Sequence, residues 1–313
     1  MACMAGVPVS CALAQTYPDR PIRMLVGFTP GGGTDLVARV VSTRIGESLG
    51  QQVVIDNRPG AGGNIAAEIA AKAPPDGYSL IMVSGSFAIN PSLHKKLQYD
   101  PIRDFAPVSQ VAHSQYILTV ARSVPAGTVK ELIALAKAKP GELNYATAGN
   151  GSPPHLATEL LKSMTGVDMI HVPFKGTASI MTALLGGEVQ VTFANMGGAL
   201  PHVRAGKLKA LGVSGAKRSP SAPEVPTVAE AGLPGFEATG WYGVLAPAGT
   251  PQPIVKRLSD EIAKAMESRE VRERLAADGL EFAPSSPKLF SDYIRQEIVK
   301  WAKVVQFAGM KLD

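Results

Sequence analysis

Cysteine is almost absent from this sequence: among 313 residues only Cys3 and Cys11 carry a thiol, and both lie in the first fourteen positions. The rest of the chain can form no disulfide, thiolate nucleophile or cysteine metal site. Long apolar runs are missing too. After the opening segment nothing approaches the roughly 18 consecutive apolar residues that a membrane-spanning helix needs. Positive charge is present but not concentrated. The net charge is +5, yet Lys and Arg are scattered, and His94-Lys95-Lys96 is the only short cluster, with no aromatic residues interleaved. A basic, solvated surface accounts for this balance, and no nucleic-acid partner is expected.

Signatures of catalysis are equally scarce. Gly60-Ala61-Gly62-Gly63-Asn64-Ile65 places isoleucine where a dinucleotide fingerprint needs its third glycine or alanine. No P-loop of the Gly-x-x-x-x-Gly-Lys-Ser/Thr type occurs, and Gly212-Val213-Ser214-Gly215-Ala216 begins like a nucleophile elbow but ends in alanine. None of the five histidines has a second His, Asp or Glu at metal-ligand spacing. The chain is therefore read as a non-enzyme, with no cofactor and no metal.

What is there points outward from the cytoplasm. Residues 1–14, MACMAGVPVSCALA, are uncharged and end in Ala12-Leu13-Ala14, the small-x-small pattern cut by signal peptidase. They read as a secretory leader ending before Gln15, which makes the expected location periplasmic. An apolar fraction of 45% with 18% charged residues is ordinary for a globular protein. The length suits two domains, since these cluster near roughly 100–150 residues.

Short β-branched runs alternate with amphipathic segments along most of the chain. A strand over 22–28 meets Pro30-Gly31-Gly32-Gly33, then a helix in which Val37, Val40, Val41, Ile45 and Leu49 share one face before Gly50. A strand over 53–56, a glycine loop and a helix over 64–72 repeat the unit, and 78–83 supplies a third strand. After a strand over 116–120 and a helix over 128–139 a second series follows: strand 144–147, helix 153–165, strand 169–172, helix 177–185 and strand 189–194. This alternation predicts parallel, doubly wound sheets in two α/β lobes. Trp241-Tyr242-Gly243-Val244-Leu245 reads as a strand returning to the first lobe, and helical patterns over 254–266, 271–277 and 290–307 are expected to pack on that lobe. The expected division is 15–120 with 240–313 as lobe 1 and 121–239 as lobe 2, joined by a two-strand hinge.

Two loops carry the candidate chemistry. Pro30-Gly31-Gly32-Gly33-Thr34-Asp35 stands between strand and helix, where free amides and the helix dipole attract an anion. The same residues equally suit a tight turn capped by Thr34 or Asp35. In the second lobe Ser152 fits an N-cap and Pro153 the first helical position, and the loop before them presents Thr147, Ala148 and Gly149 at a strand end, where ligands of open α/β sheets bind. An ordinary capped helix is again the alternative. Two such helix starts facing each other could close on one carboxylate. Ser84 and Ser86 follow another strand end in the first lobe and Asn195 one in the second, His155 lies beside the second loop, and each of these is also a common turn or core residue.

The loops together resemble a known family. Tyr17-Pro18-Asp19-Arg20-Pro21-Ile22, Pro30-Gly31-Gly32-Gly33-Thr34-Asp35, Asn57-Arg58-Pro59-Gly60-Ala61-Gly62-Gly63-Asn64, Pro75-Asp76-Gly77-Tyr78, Pro173-Phe174-Lys175-Gly176 and Pro226-Thr227-Val228-Ala229-Glu230-Ala231-Gly232 succeed one another as in the Bug-type receptors, the extracytoplasmic solute-binding proteins of tripartite tricarboxylate transporters. The resemblance spans nearly the whole chain after the leader. It implies a type II periplasmic binding protein fold that closes on a ligand carboxylate held by amides, hydroxyls and water rather than by a bidentate arginine. The implied site draws on Gly32, Thr34, Asp35, Ser84, Ser86, Thr147, Ala148, Gly149, Ser152, His155 and Asn195. Phe174 departs from the family, which often has tyrosine there. The implied partners are a small carboxylate and the integral membrane subunits of a transporter, with the receptor itself a monomer. An enzyme acting on a small carboxylate, or a sensor for a signalling partner, are the competing readings.

Overall fold

The computed structural model describes residues 17–149, 151–174, 177–277 and 279–310. The expected leader lies outside them. Two β-sheets, each flanked by helices, form two α/β lobes.

The first sheet contains β1 (Ile22–Val26), β2 (Val53–Asn57), β3 (Ser79–Ser84), β4 (Phe105–Ser114), β10 (Gly240–Pro247) and β11 (Leu280–Phe282), in the order β11-β4-β10-β3-β1-β2. The second contains β5 (Tyr116–Ala121), β6 (Asn144–Thr147), β7 (Ile170–Pro173), β8 (Val191–Asn195) and β9 (Leu208–Val213), in the order β7-β6-β8-β5-β9. Each sheet begins with three parallel strands. Each then takes an antiparallel strand that has just arrived from the other lobe, β10 in the first and β5 in the second. The sheets are thus mixed, where the alternation of strands and helices predicted purely parallel ones. The physical reason is the connection. β4 and β5 lie in different sheets with Gln115 alone between them, so β5 enters the second sheet straight from the first lobe, without a helical crossover, and runs against both β8 and β9.

The crossing at Gln115 and the return at Ala238-Thr239 form the two-strand hinge. Glu281 of β11 sits over it, accepting from Gln115 Nε2 at 3.1 Å and from Ser219 Oγ at 2.9 Å. Burial opposes ionisation of Glu281, but hydrogen bonds from His113, Ser219 and Gln115 hold its pKa below the ordinary value.

Side-chain alternation distributes β1 between two cores. Ile22, Met24 and Val26 face α1 (Gly33–Leu49) and α8 (Gln252–Met266), while Leu25 faces α2 (Asn64–Ala71). In α1 the apolar face of Val37, Val41 and Ile45 is fully buried, and Gly50 at φ 67° ends the helix in the left-handed conformation. The chain also forms α3 (Ser86–Leu93), α4 (Val129–Ala138), α5 (Pro153–Thr165), α6 (Thr177–Gly186), α7 (Met196–Arg204), α9 (Arg269–Ala277) and α10 (Pro287–Phe307).

α10 departs from the sequence expectation. Phe290 and Ile294 join the first-lobe core, but Trp301, Val304 and Val305 belong to the core cluster of the second lobe. A helix of 21 residues spans about 30 Å, enough to lie across both lobes.

Candidate functional site

The C-terminal ends of β1, β3, β6 and β8 face one cleft between the lobes, and α1, α3, α5 and α7 start there. A hollow of about 520 Å³ occupies it. The β1–α1 loop supplies Phe28, Thr29, Gly32, Gly33 and Thr34; the β3 end supplies Ser84, Gly85 and Ser86; α3 supplies Ile89, Asn90 and Leu93. Gly151, Ser152, Pro153 and Leu156 face them from α5, the hinge adds Tyr116, Thr239, Trp241 and Tyr242, and α10 adds Trp301. Among the described residues no Asp, Glu, His, Lys or Arg lines this hollow. A second hollow of about 210 Å³ shares Tyr116, Pro153 and Tyr242 with the first and reaches Ala148, Thr177 and Asn195. A larger space of about 770 Å³ along Gly46, Gly50 and Val53 is an open groove at the opposite end of the strands. Ligands of open α/β sheets do not bind at that end.

The two helix starts are unequal. Gly33, Thr34 and Asp35 form the first turn of α1, where amides have no partner inside the helix, and the N-cap Gly32 has no side chain to occupy them. That end offers three donors on a positive dipole end. In α5 the first two positions are Pro153 and Pro154, which lack N–H groups, so only the His155 amide remains. The two helix starts, expected as a matching pair, thus differ in the number of free amides they present.

The side chains separate into those that face the cleft and those that hold it. Thr34, Ser84, Ser86 and Ser152 line the first hollow, as does the backbone of Gly32. Ser84 Oγ and Ser86 Oγ lie 3.0 Å apart. Ser152 Oγ turns inward and donates to the Gly149 carbonyl at 2.7 Å. Asp35 lines neither hollow. Its carboxylate accepts from the Gly31 amide at 2.9 Å, from Arg39 Nε at 2.8 Å and from Asn57 Nδ2 at 2.9 Å. Burial opposes its ionisation, but these bonds outweigh it and bring its pKa down to about 2. The residue shapes the loop rather than facing the cleft.

Thr147 and His155 have the same kind of role in the second lobe. Thr147 is fully buried, receives the Gly149 amide at 3.1 Å and meets His171 Nε2 at 2.6 Å. His155 Nδ1 accepts from the Gly151 amide at 3.1 Å, and its ring stacks on His171 with centroids 4.1 Å apart. Burial first, and the neighbouring His171 second, lower its pKa to about 4, so it is a neutral acceptor at pH 7. Gly149 contributes its carbonyl to this network and lines neither hollow. Ala148 and Asn195 line the second hollow, where Asn195 Nδ2 donates to Thr177 Oγ1 at 3.2 Å.

Sequence reasoning missed the aromatic wall. Tyr242 lines both hollows, and a Cβ built on Gly33 would lie 2.7 Å from its Oη. Gly33 is thus required by the close approach of that hydroxyl to the start of α1. Burial raises the pKa of Tyr242, so it stays a neutral donor. Phe28, Trp241 and Trp301 complete the wall. Trp241 was legible only as part of a strand and Trp301 only as an apolar position of a helix.

Residues 37–310 match the family described as the tripartite tricarboxylate transporter family receptor. Protein BugT of Bordetella pertussis is 41% identical over 312 residues, which is 98% of this chain and 95% of that one. The structure of an R. palustris protein with adipate is similar at 40% identity and a TM-score of 0.78, covering 95% of this chain and 100% of the other. MatC from Rhodopseudomonas palustris with bound malate is similar at 36% identity and a TM-score of 0.74, covering 92% of this chain and 100% of the other.

Proposed function

Because this chain belongs to the tripartite tricarboxylate transporter receptor family, we propose that it is a periplasmic receptor that closes its lobes on a small carboxylate and passes it to the integral membrane subunits of such a transporter. The observation that carries this reading is the cleft itself: helix starts from both lobes face a hollow lined by hydroxyls and amides but by no ionised side chain among the described residues. That is an environment for holding one anion without reacting with it. Relatives described with adipate and with malate support the same ligand class.

Gly32, Thr34, Ser84 and Ser86 are assigned to the ligand from the first lobe and Tyr242 from the hinge, while Ser152, its hydroxyl bonded to Gly149, lines the opposite wall. Ala148 and Asn195 serve the adjoining hollow. Asp35, Thr147, Gly149 and His155 act one step back, by fixing the loops. Opening and closing turn on residues 115 and 238–239, with the first sheet and its helices moving as one lobe and β5 to β9 with theirs as the other. The receptor acts as a monomer and returns its ligand chemically unchanged.

A thermal-shift screen of the purified chain against carboxylates, amino acids and neutral controls tests this reading. A dose-dependent rise in melting temperature for a carboxylate that is recovered intact supports a receptor. Consumption of the compound, or no shift with any carboxylate, rejects it.

A further inference from the structure

We infer that the preferred ligand carries one charged end and an uncharged, apolar body; this rests on the receptor reading above and narrows it to a ligand class. Only one end of the cleft is built for an anion. It consists of the α1 amides with Thr34 Oγ1 and Tyr242 Oη, neither of which makes a hydrogen bond to the described residues, together with Thr29, Ser84 and Ser86 of the same lobe, Ser84 standing opposite Tyr242 in the sheet and 3.0 Å from Ser86 Oγ. Away from that end the wall is largely apolar: Ile89 and Leu93 of α3, Leu156 of α5 and Trp301 of α10 line the hollow and belong to one continuous core cluster, while the hydroxyls of Tyr116 and Thr239 are engaged by Ser114 and Tyr293.

The polar atoms that might have met a second charged group are already engaged. Trp241 Nε1 and Trp301 Nε1 both donate to Glu297 Oε2, at 3.1 and 2.8 Å. The two indoles therefore offer a ligand only their carbon surfaces. Asn90 Nδ2 is taken by the Gly62 carbonyl and Asn64 Oδ1. Ser152 Oγ is spent on Gly149, and the two prolines of α5 leave a single amide on that side. The adjoining hollow brings no charged side chain among the described residues either, and its Thr177 and Asn195 bond each other. A second carboxylate buried here would lose its water without gaining a partner, whereas a methylene chain or ring gains from the same burial.

The decisive comparison is between ligands of one length that differ only in the second charge. Isothermal titration of the purified chain with hexanoate, adipate, phenylacetate, citrate and glutamate provides it. Adipate is the stringent partner of hexanoate, because a relative 40% identical to this chain is described with it. Hexanoate or phenylacetate is expected to bind most tightly, with adipate about tenfold weaker than hexanoate and citrate and glutamate weaker still. Binding of adipate as tight as that of hexanoate or tighter, or a first rank for citrate or glutamate, overturns the inference while leaving the receptor reading standing. Binding of none of the five overturns both.

Discussion

Trp241 of β10 donates its indole N–H to the buried carboxylate of Glu297 on α10 at 3.1 Å, and so ties the strand that re-enters the first lobe to the helix that runs on into the second. Trp301 adds a second indole to the same oxygen at 2.8 Å, and Lys300 pairs with the other oxygen. Glu297 is only 3% exposed. Replacing it with alanine strands two buried donors, each costing about 1–3 kcal/mol. Glu297→Ala is expected to lower unfolding free energy by about 2–4 kcal/mol in urea titrations, and Glu297→Gln by less, because one acceptor remains. An alanine variant as stable as the parent would refute the strap.

The hydroxyls of the cleft should not be equivalent. Thr34→Ala and Tyr242→Phe each remove a donor that makes no hydrogen bond to the described residues, so affinity should fall by about 1.5–3 kcal/mol while the unliganded melting temperature stays put. Ser152→Ala removes a hydroxyl already bonded to Gly149, and should cost stability more than affinity. Calorimetric titration and melting of all three variants would show the split; a larger affinity loss for Ser152 than for Thr34 would reverse the ranking of the two lobes.

Gly33 tests the close approach directly. A methyl group there meets Tyr242 Oη at 2.7 Å, but Tyr242 Cζ only at 3.6 Å. Gly33→Ala should therefore weaken binding by about tenfold or more, in line with the 1–3 kcal/mol typical of overpacking. Adding Tyr242→Phe should recover part of that loss. A double variant weaker than the sum of its parts would show that the hydroxyl is not the obstacle.

His155 sets a pH dependence of stability. Its pKa lies near 4 in the folded chain and near 6.5 when exposed, so the unfolded chain takes up the proton first. Its contribution is complete above pH 6.5 and is lost as pH falls toward 4. His171, Glu159 and Lys162 face the same ring and modulate the midpoint. The loss over this window is on the order of 3 kcal/mol, and urea unfolding at several pH values should show it flattened in His155→Gln. An equally steep profile in that variant would assign the dependence elsewhere.

How far the chain could be read in advance depends on whether the signal was local. The start of α1 after a glycine loop, Ser152 and Pro153 opening α5, and Gly50 and Gly166 closing their helices follow from backbone preferences of single residues. The strands β4 and β9 and the helices α3 and α7 are not among the expected elements; proline interrupts the apolar pattern of β4, α3 and α7. Asp35 was legible both as a ligand contact and as a cap of its turn, and His155 as a residue near the site but not as its support. Their orientation depends on Arg39 and Asn57 in one case and on His171 in the other.

The sequence by itself determined two α/β lobes, the loops that bear the helix starts, the absence of thiol chemistry and the family, since each rests on short-range pattern and composition. Tertiary structure alone decided that both sheets accept an antiparallel strand from the opposite lobe, that α10 belongs to both cores, and that Tyr242, Trp241 and Trp301 reach the cleft. Those outcomes depend on contacts between residues far apart in the chain, where a buried carboxylate such as Glu297 finds its donors only after the lobes have packed.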